Sequence, residues 1–147
     1  MKYEKCILEP LIAHEKISCI RYELSASVTS ITNKIWQDFL DGTYILCVSN
    51  EILNEYEEII ERFSSSAIAK NIVSAIVHSP NVLYKESFFR FNLIESDPDD
   101  NKFVDCAIVS NAEYIVTEDA HFRILKSIPF PKVIVIGLDS FLAELNR

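Results

Sequence analysis

At 147 residues, 49% of them hydrophobic, the chain is long enough for one domain with a real core and too apolar for disorder. Its formal charge of −8 argues against a broad basic nucleic-acid surface, and two glycines, Gly42 and Gly137, leave no glycine-rich phosphate loop. The charge does not exclude a nuclease whose acids hold a divalent metal, because a bound cation inverts the local field.

In chain order, Ile31, Ile35, Trp36 and Phe39 fall at helical spacing, and Asp41-Gly42 ends that helix. Tyr44-Ile45-Leu46-Cys47-Val48 is a short apolar run of the kind that forms a buried strand. Ser49 or Asn50 can cap the next helix, residues 51–62, whose apolar stripe is Ile52, Leu53, Tyr56, Ile59 and Ile60. A further helix is predicted over residues 66–77 and stops at Ser79-Pro80-Asn81; Val82-Leu83-Tyr84 is a weak strand. Ser96-Asp97-Pro98-Asp99-Asp100-Asn101 is an acidic turn that starts a helix with the apolar face Phe103, Val104, Ala107 and Ile108. Tyr114-Ile115-Val116-Thr117 is a strand, Glu118-Asp119 a loop, and a short helix holds Phe122 and Leu125. Residues 132–136 form the last strand, and Asp139 caps the last helix, residues 140–146. Apolar strands alternating with helices predict an α/β fold with a parallel sheet covered on both faces. The cysteines, Cys6, Cys19, Cys47 and Cys106, contain no Cys-x-x-Cys pair, so no zinc pattern arises. Cys47 and Cys106 lie in apolar runs and read as buried thiols of a cytoplasmic protein. No apolar run approaches the roughly 20 residues of a membrane span, and residues 6–13, broken by Glu9 and Pro10, make a poor signal peptide.

Ligands of a parallel α/β sheet sit beyond the carboxyl ends of its strands. Three acidic features map there: Glu55 early in the helix after residues 44–48, the group Asp97, Asp99 and Asp100 before the strand at 114–117, and Asp119 just past that strand. Gathered carboxylates repel and raise one another's pKa, and a bound cation removes that penalty. Oxygen donors without a histidine partner favour magnesium or manganese, which polarise a phosphodiester and lower the pKa of a bound water. Taken singly, the residues read more plainly. Glu55 sits in Glu-Tyr-Glu-Glu, ordinary solvated helix surface, and Asp99 and Asp100 suit a helix N-terminus. Asp105 reads as surface or as support behind the site, Glu118 as a loop acid and His121 as an exposed loop histidine. Trp36 and the Phe88-Phe89-Arg90-Phe91 run read as core rather than as a base-stacking platform.

The order of these pieces resembles the PIN-domain family, in particular its toxin–antitoxin branch. The resemblance is carried by Ile35-Trp36-Gln37-Asp38-Phe39-Leu40-Asp41-Gly42, by Cys47-Val48-Ser49-Asn50-Glu51-Ile52-Leu53-Asn54-Glu55-Tyr56-Glu57-Glu58, by Phe91-Asn92-Leu93-Ile94, and most specifically by Asp97-Pro98-Asp99-Asp100-Asn101-Lys102-Phe103-Val104-Asp105-Cys106-Ala107, continuing through Ala112-Glu113-Tyr114-Ile115-Val116-Thr117-Glu118-Asp119. It implies a compact three-layer α/β/α fold with a parallel sheet, and magnesium- or manganese-dependent ribonuclease activity. It carries the acidic site onto Glu55, Asp100 and Asp119 as metal ligands or water positioners, with Asp97 and Asp99 as nearby alternatives and Asn101 and Thr117 as supporting groups. RNA is the implied substrate, an antitoxin protein the implied partner, and homodimers are common in that branch.

One element departs from the pattern. The family's first strand ends in Asp-Thr-Asn, yet this chain has no Asp before Asp38. At the corresponding place it reads Ile17-Ser18-Cys19-Ile20-Arg21-Tyr22-Glu23-Leu24. Synonymous codons for residues 14–24 can be chosen that, read one base later, give Met-Lys-Lys-Leu-Ala-Val-Leu-Asp-Thr-Asn. A frameshift would therefore account for residues 1–28 as an aberrant segment ahead of a PIN-like domain at 29–147. In that reading residues 17–22 fill an aberrant first strand, and Arg21 or Tyr22 stands in the place of the central Asp, which impairs metal binding and catalysis. The alternative is a non-catalytic, degenerate PIN domain that binds an antitoxin or another protein. A magnesium-dependent phosphotransfer domain would need a nucleophilic Asp on the first strand, and none is present.

Overall fold

The structure, a computed structural model, describes residues 5–8 and 26–147, with side chains described from residue 33 onward. Five strands form one wholly parallel sheet: β1 (Lys5–Leu8), β2 (Ile45–Val48), β3 (Val82–Tyr84), β4 (Tyr114–Val116) and β5 (Val135–Ile136). Their order is β3-β2-β1-β4-β5. In register, Cys6 lies level with both Leu46 and Tyr114, Leu8 with Val116, Val48 with Tyr84, and Val116 with Ile136. The chain builds outward from β1 to β3 and then crosses back to β4, so β1 and β4 flank the switch point where parallel sheets bind ligands.

Five helices flank the sheet: α1 (Ala26–Leu40), α2 (Asn50–Phe63), α3 (Ser66–Val77), α4 (Asn101–Ser110) and α5 (Leu138–Leu145). Helix α4 packs on β1, β2 and β4, α2 packs on α3 and α4, and α1 packs on α5. An aromatic row ties the last pair to the sheet: Trp36 to Phe39 at 5.5 Å between ring centroids, Phe39 to Tyr44 at 6.0 Å, and Tyr44 to Phe141 at 5.1 Å. Tyr44 is fully buried, and its hydroxyl donates to Ile35 O at 3.0 Å, so the ring brings no unsatisfied polar atom into the core. Cys47 and Cys106 are buried, and burial pushes the Cys106 thiol up to about 12.

The helix starts follow local side-chain chemistry. Ser49 accepts from Ile52 N at 3.3 Å to cap α2, and Ser65 accepts from Ile68 N at 3.1 Å to cap α3. Gly42 ends the α1 turn at φ +76°, a left-handed conformation that suits glycine. Helix α5 departs from expectation. It begins at Leu138 rather than at residue 140, and Glu118 caps it by accepting from Leu138 N at 2.8 Å; Asp139 lies within its first turn. A Cβ on Gly137 would stand 2.8 Å from Glu118 Oε1, so the glycine is what lets Glu118 reach that N–H. The last strand is also shorter than residues 132–136, covering Val135–Ile136 alone.

The larger correction concerns the first strand. Lys5–Leu8 forms β1 and pairs on both sides, so the segment 1–28 contributes the central strand of the sheet. Residues 17–22, which the sequence suggested for that place, lie outside the described residues, as do Arg21 and Tyr22. The residue that follows β1 in sequence is Glu9, also outside the described residues. Helix α1 begins at Ala26, ahead of the boundary expected at 29. Among the described residues no helix is long and apolar enough to cross a membrane.

Asn81 closes the turn before β3 by donating from Nδ2 to Phe39 O at 2.9 Å and to Tyr44 O at 2.8 Å, and its Oδ1 accepts from Ser79 Oγ. Asn81→Ala strips a donor from two carbonyls that lie about forty residues away in sequence and is expected to cost about 1–3 kcal/mol. Urea denaturation checks this through a lower midpoint at unchanged slope.

Candidate metal centre

Three segments converge beyond the carboxyl ends of β2 and β4: the acidic turn that leads into α4, the loop after β4, and α2. Asp97 caps a 3₁₀ turn, Pro98–Asp100, by accepting from Asp99 N at 3.2 Å, and Asp100 N donates to Asp97 O at 3.1 Å. The turn runs directly into α4, so Asp100 stands at a helix N-terminus, where the peptide dipoles favour an anion. After β4, Thr117 Oγ1 accepts from Asp119 N at 2.9 Å, and Asp119 Oδ1 accepts from His121 N at 2.9 Å to start the 3₁₀ helix Ala120–Ser127. These bonds fix the backbone on which the carboxylates ride.

The carboxylates meet around one imidazole. His121 Nδ1 lies 3.3 Å from Asp119 Oδ1, 3.4 Å from Asp100 Oδ2 and 3.6 Å from Asp97 Oδ2. One ligand atom each from Asp97, Asp100 and His121 falls within 4.8 Å of the others, the spacing of groups that can share one ion. Asp100 is only 8% exposed, and its Oδ2 is buried with no hydrogen bond. Burial first, then the negative charges of Asp97, Asp119 and Glu55, push Asp100 up to about 6, against a smaller opposing pull from His121. Glu55, on the second turn of α2, therefore lies close enough to Asp100 to be felt electrostatically. It pairs with Lys102, whose Nζ stands 3.3 Å from Glu55 Oε1 with both side chains mostly buried.

Of the residues singled out in the sequence, the structure gathers Asp97, Asp100 and Asp119 about one point, with Glu55 alongside. Asp99 is exposed and, like Asp119 and Glu55, is not one of the three residues, Asp97, Asp100 and His121, whose ligand atoms could share one ion. Asn101 turns away: its side-chain amide donates to Ile94 O and accepts from Ile94 N, both at 2.9 Å, so it fastens the preceding loop. Thr117 supports Asp119 as described. Asp105 is buried rather than superficial and accepts from Phe91 N at 3.2 Å. Glu118 is taken up by α5. The sequence reading missed His121, since a lone loop histidine carries no pattern; its place two residues after a capping Asp was the available signal. It also missed Lys102, whose partner is 47 residues away. Phe88 and Phe89 are exposed rather than core, while Trp36 packs against the core.

Asp100 binds its proton more tightly in the fold than in the unfolded chain, whose value is near 3.8. Through this group the protein therefore loses stability as pH rises from about 4 to about 6, and it carries the full penalty above that range. In metal-free buffer Asp100→Asn should melt higher than wild type at pH 7.5, with the difference closing at pH 4. Equal melting temperatures at pH 7.5 would show that the carboxylate is not under strain.

A family model described as PIN domain matches residues 19–121, well over half of the chain. The match begins downstream of β1 and contains Glu55, Asp97, Asp100, Asp119 and His121. A search of curated proteins returned no match. With the doubly wound parallel sheet and the acidic cleft at its switch point, the matched span shows that the chain belongs to the PIN-domain family, whose members are generally nucleases.

Proposed function

We propose that the chain is a divalent-metal-dependent ribonuclease of the PIN type. The observation that carries this reading is Asp100 Oδ2, buried without a hydrogen bond and facing Asp97, Asp119 and His121. An orphaned carboxylate oxygen among like charges is costly, and a cation is the group that relieves it. The donor set fits magnesium or manganese, and the imidazole tilts the preference towards manganese. A divalent ion held there would polarise a phosphodiester and lower the pKa of a bound water.

The chain's own residues have distinct parts in this reading. Asp97 and Asp100, ahead of α4, would hold the ion, with Asp119 as a further oxygen donor. His121 sits on all three carboxylates and either joins the ligand set or gives way to it. Glu55, on α2, would orient a water, with Lys102 at 3.3 Å holding its carboxylate. The family's first-strand Asp is missing, since the chain has none before Asp38, so turnover is expected to be slow. In the toxin branch of the family this activity would be held in check by a cognate antitoxin, with a homodimer as the common assembly.

The missing Asp also favours a second reading, a PIN domain that binds an antitoxin without cutting RNA. Manganese titration separates the two. The nuclease reading expects a higher melting temperature in manganese and slow, metal-dependent cleavage of single-stranded RNA. Glu55→Gln and Asp119→Asn should each lower the rate by more than about tenfold, the scale on which metal-site neighbours act. Neither stabilisation nor cleavage in manganese would leave the binding module as the surviving reading.

A further inference from the structure

The loop between β3 and the acidic turn carries two phenyl rings in open solvent, Phe88 at 100% exposure and Phe89 at 65%. The loop itself is tied down at both ends. Lys85 N donates to Val48 O at 2.9 Å, and Asn50 N donates to Glu86 Oε1 at 2.7 Å. Beyond the tip, Phe91 N donates to the buried Asp105, and Ile94 is clamped by Asn101 through two bonds. Within the tip, Ser87 Oγ donates to Phe89 O at 2.6 Å, and the Phe89 ring packs edge-on against Phe91 with centroids 4.8 Å apart. Rings presented on an anchored loop, without burial of their own, need a flat apolar occupant.

The loop also adjoins the acidic cleft. Arg90, next to the pair, binds Glu51 at 2.9 Å. Glu51 stands one turn before Glu55 on α2, about 6 Å along the axis. Asp105 and Asn101, the loop's anchors, lie on the same helix that presents Asp100 at its N-terminus. The loop that carries the aromatic tip and the arginine is therefore bonded to both helices that bear the acids, α2 with Glu55 and α4 with Asp100 at its N-terminus.

Resting on the nuclease reading above, we propose that Phe88 and Phe89 stack on the bases of single-stranded RNA and position it across the metal centre. With a formal charge of −8 the chain gains little from phosphate contacts, so neutral base stacking, which tolerates any base, carries much of the affinity.

The test measures anisotropy of a labelled single-stranded octaribonucleotide in manganese, on an Asp119→Asn background that blocks cleavage. Phe88→Ala combined with Phe89→Ala should weaken binding at least about fivefold, whereas Phe88→Tyr with Phe89→Tyr should keep it. Phe88→Trp should show RNA-dependent quenching absent from a chain holding only Trp36. Melting temperature and its manganese shift should not move. Unchanged affinity in the alanine pair overturns the proposal, as does loss of a homodimer in that pair with RNA affinity intact, which would make the tip a contact between copies. Cleavage by the unmodified chain reports separately on the nuclease reading: cleavage with unchanged affinity sinks the stacking role alone, and absence of both binding and cleavage sinks the two together.

Discussion

The site depends on one electrostatic constraint: Asp100 is held out of water beside other carboxylates and cannot swing away. Its backbone is fixed by the Asp97 turn on one side and by α4 on the other. Asp119 is fixed through Thr117 and through its own cap on the following turn. Mobile acids would relax their repulsion by rotating into solvent. These cannot all do so, and burial first, with the repulsion added to it, raises the Asp100 pKa. The helix dipole at α4 offsets part of the cost but acts on an anion already desolvated. The hydrophobic core and sheet ladder supply the rest, so the stability of the fold is what holds the acids together.

Two side chains, Lys102 and His121, stand among those acids, and they do so differently. Lys102 is sheltered and paired with Glu55, which makes a local neutral unit at the edge of the cleft. His121 is more exposed and touches three carboxylates at once. A single imidazole carries at most one positive charge and cannot balance three acids. A divalent ion offsets two of those charges, and it would draw on the same oxygens that His121 now faces. Asp97, Asp100 and His121 thus form a group whose ligand atoms lie close enough to share one cation.

Much of this was legible in the sequence where periodicity is long. Helices at 50–63 and 66–77 announce themselves through apolar stripes and serine caps, and the strands at 45–48, 82–84 and 114–116 through short apolar runs. Placing Asp97, Asp100, Asp119 and Glu55 together needed only the rule that parallel sheets act at their carboxyl edge. The first strand was misplaced because the shifted reading frame set the family's Asp-Thr-Asn against residues 21–24, while Lys5–Leu8 is four residues long and runs into Glu9 and Pro10. Pairing on both sides, a tertiary property, gives Lys5–Leu8 its place. His121 was passed over because its meaning lies in contacts to Asp97 and Asp100, more than twenty residues back in the chain. The Phe88–Phe91 run was misread because composition reports hydrophobicity and not direction. Which rings face outward is set by where Asp105 and Asn101 grip the loop.

That loop bears on how so acidic a protein could handle a polyanion. Coulomb attraction through surface lysines and arginines is screened by salt, and here the formal charge opposes it from the start. Contacts that avoid this problem are either local and intense or uncharged. A metal ion in the cleft is the first kind, since it converts clustered acids from a repellent into an anchor for phosphate. Stacking on Phe88 and Phe89 is the second, since a base face carries no net charge. Each is weak alone in discriminating RNA from other anions or other apolar groups. Together they would suit a ligand that offers both a phosphate and an unpaired base, as single-stranded nucleic acid does and a duplex, with its bases already stacked inside, does not.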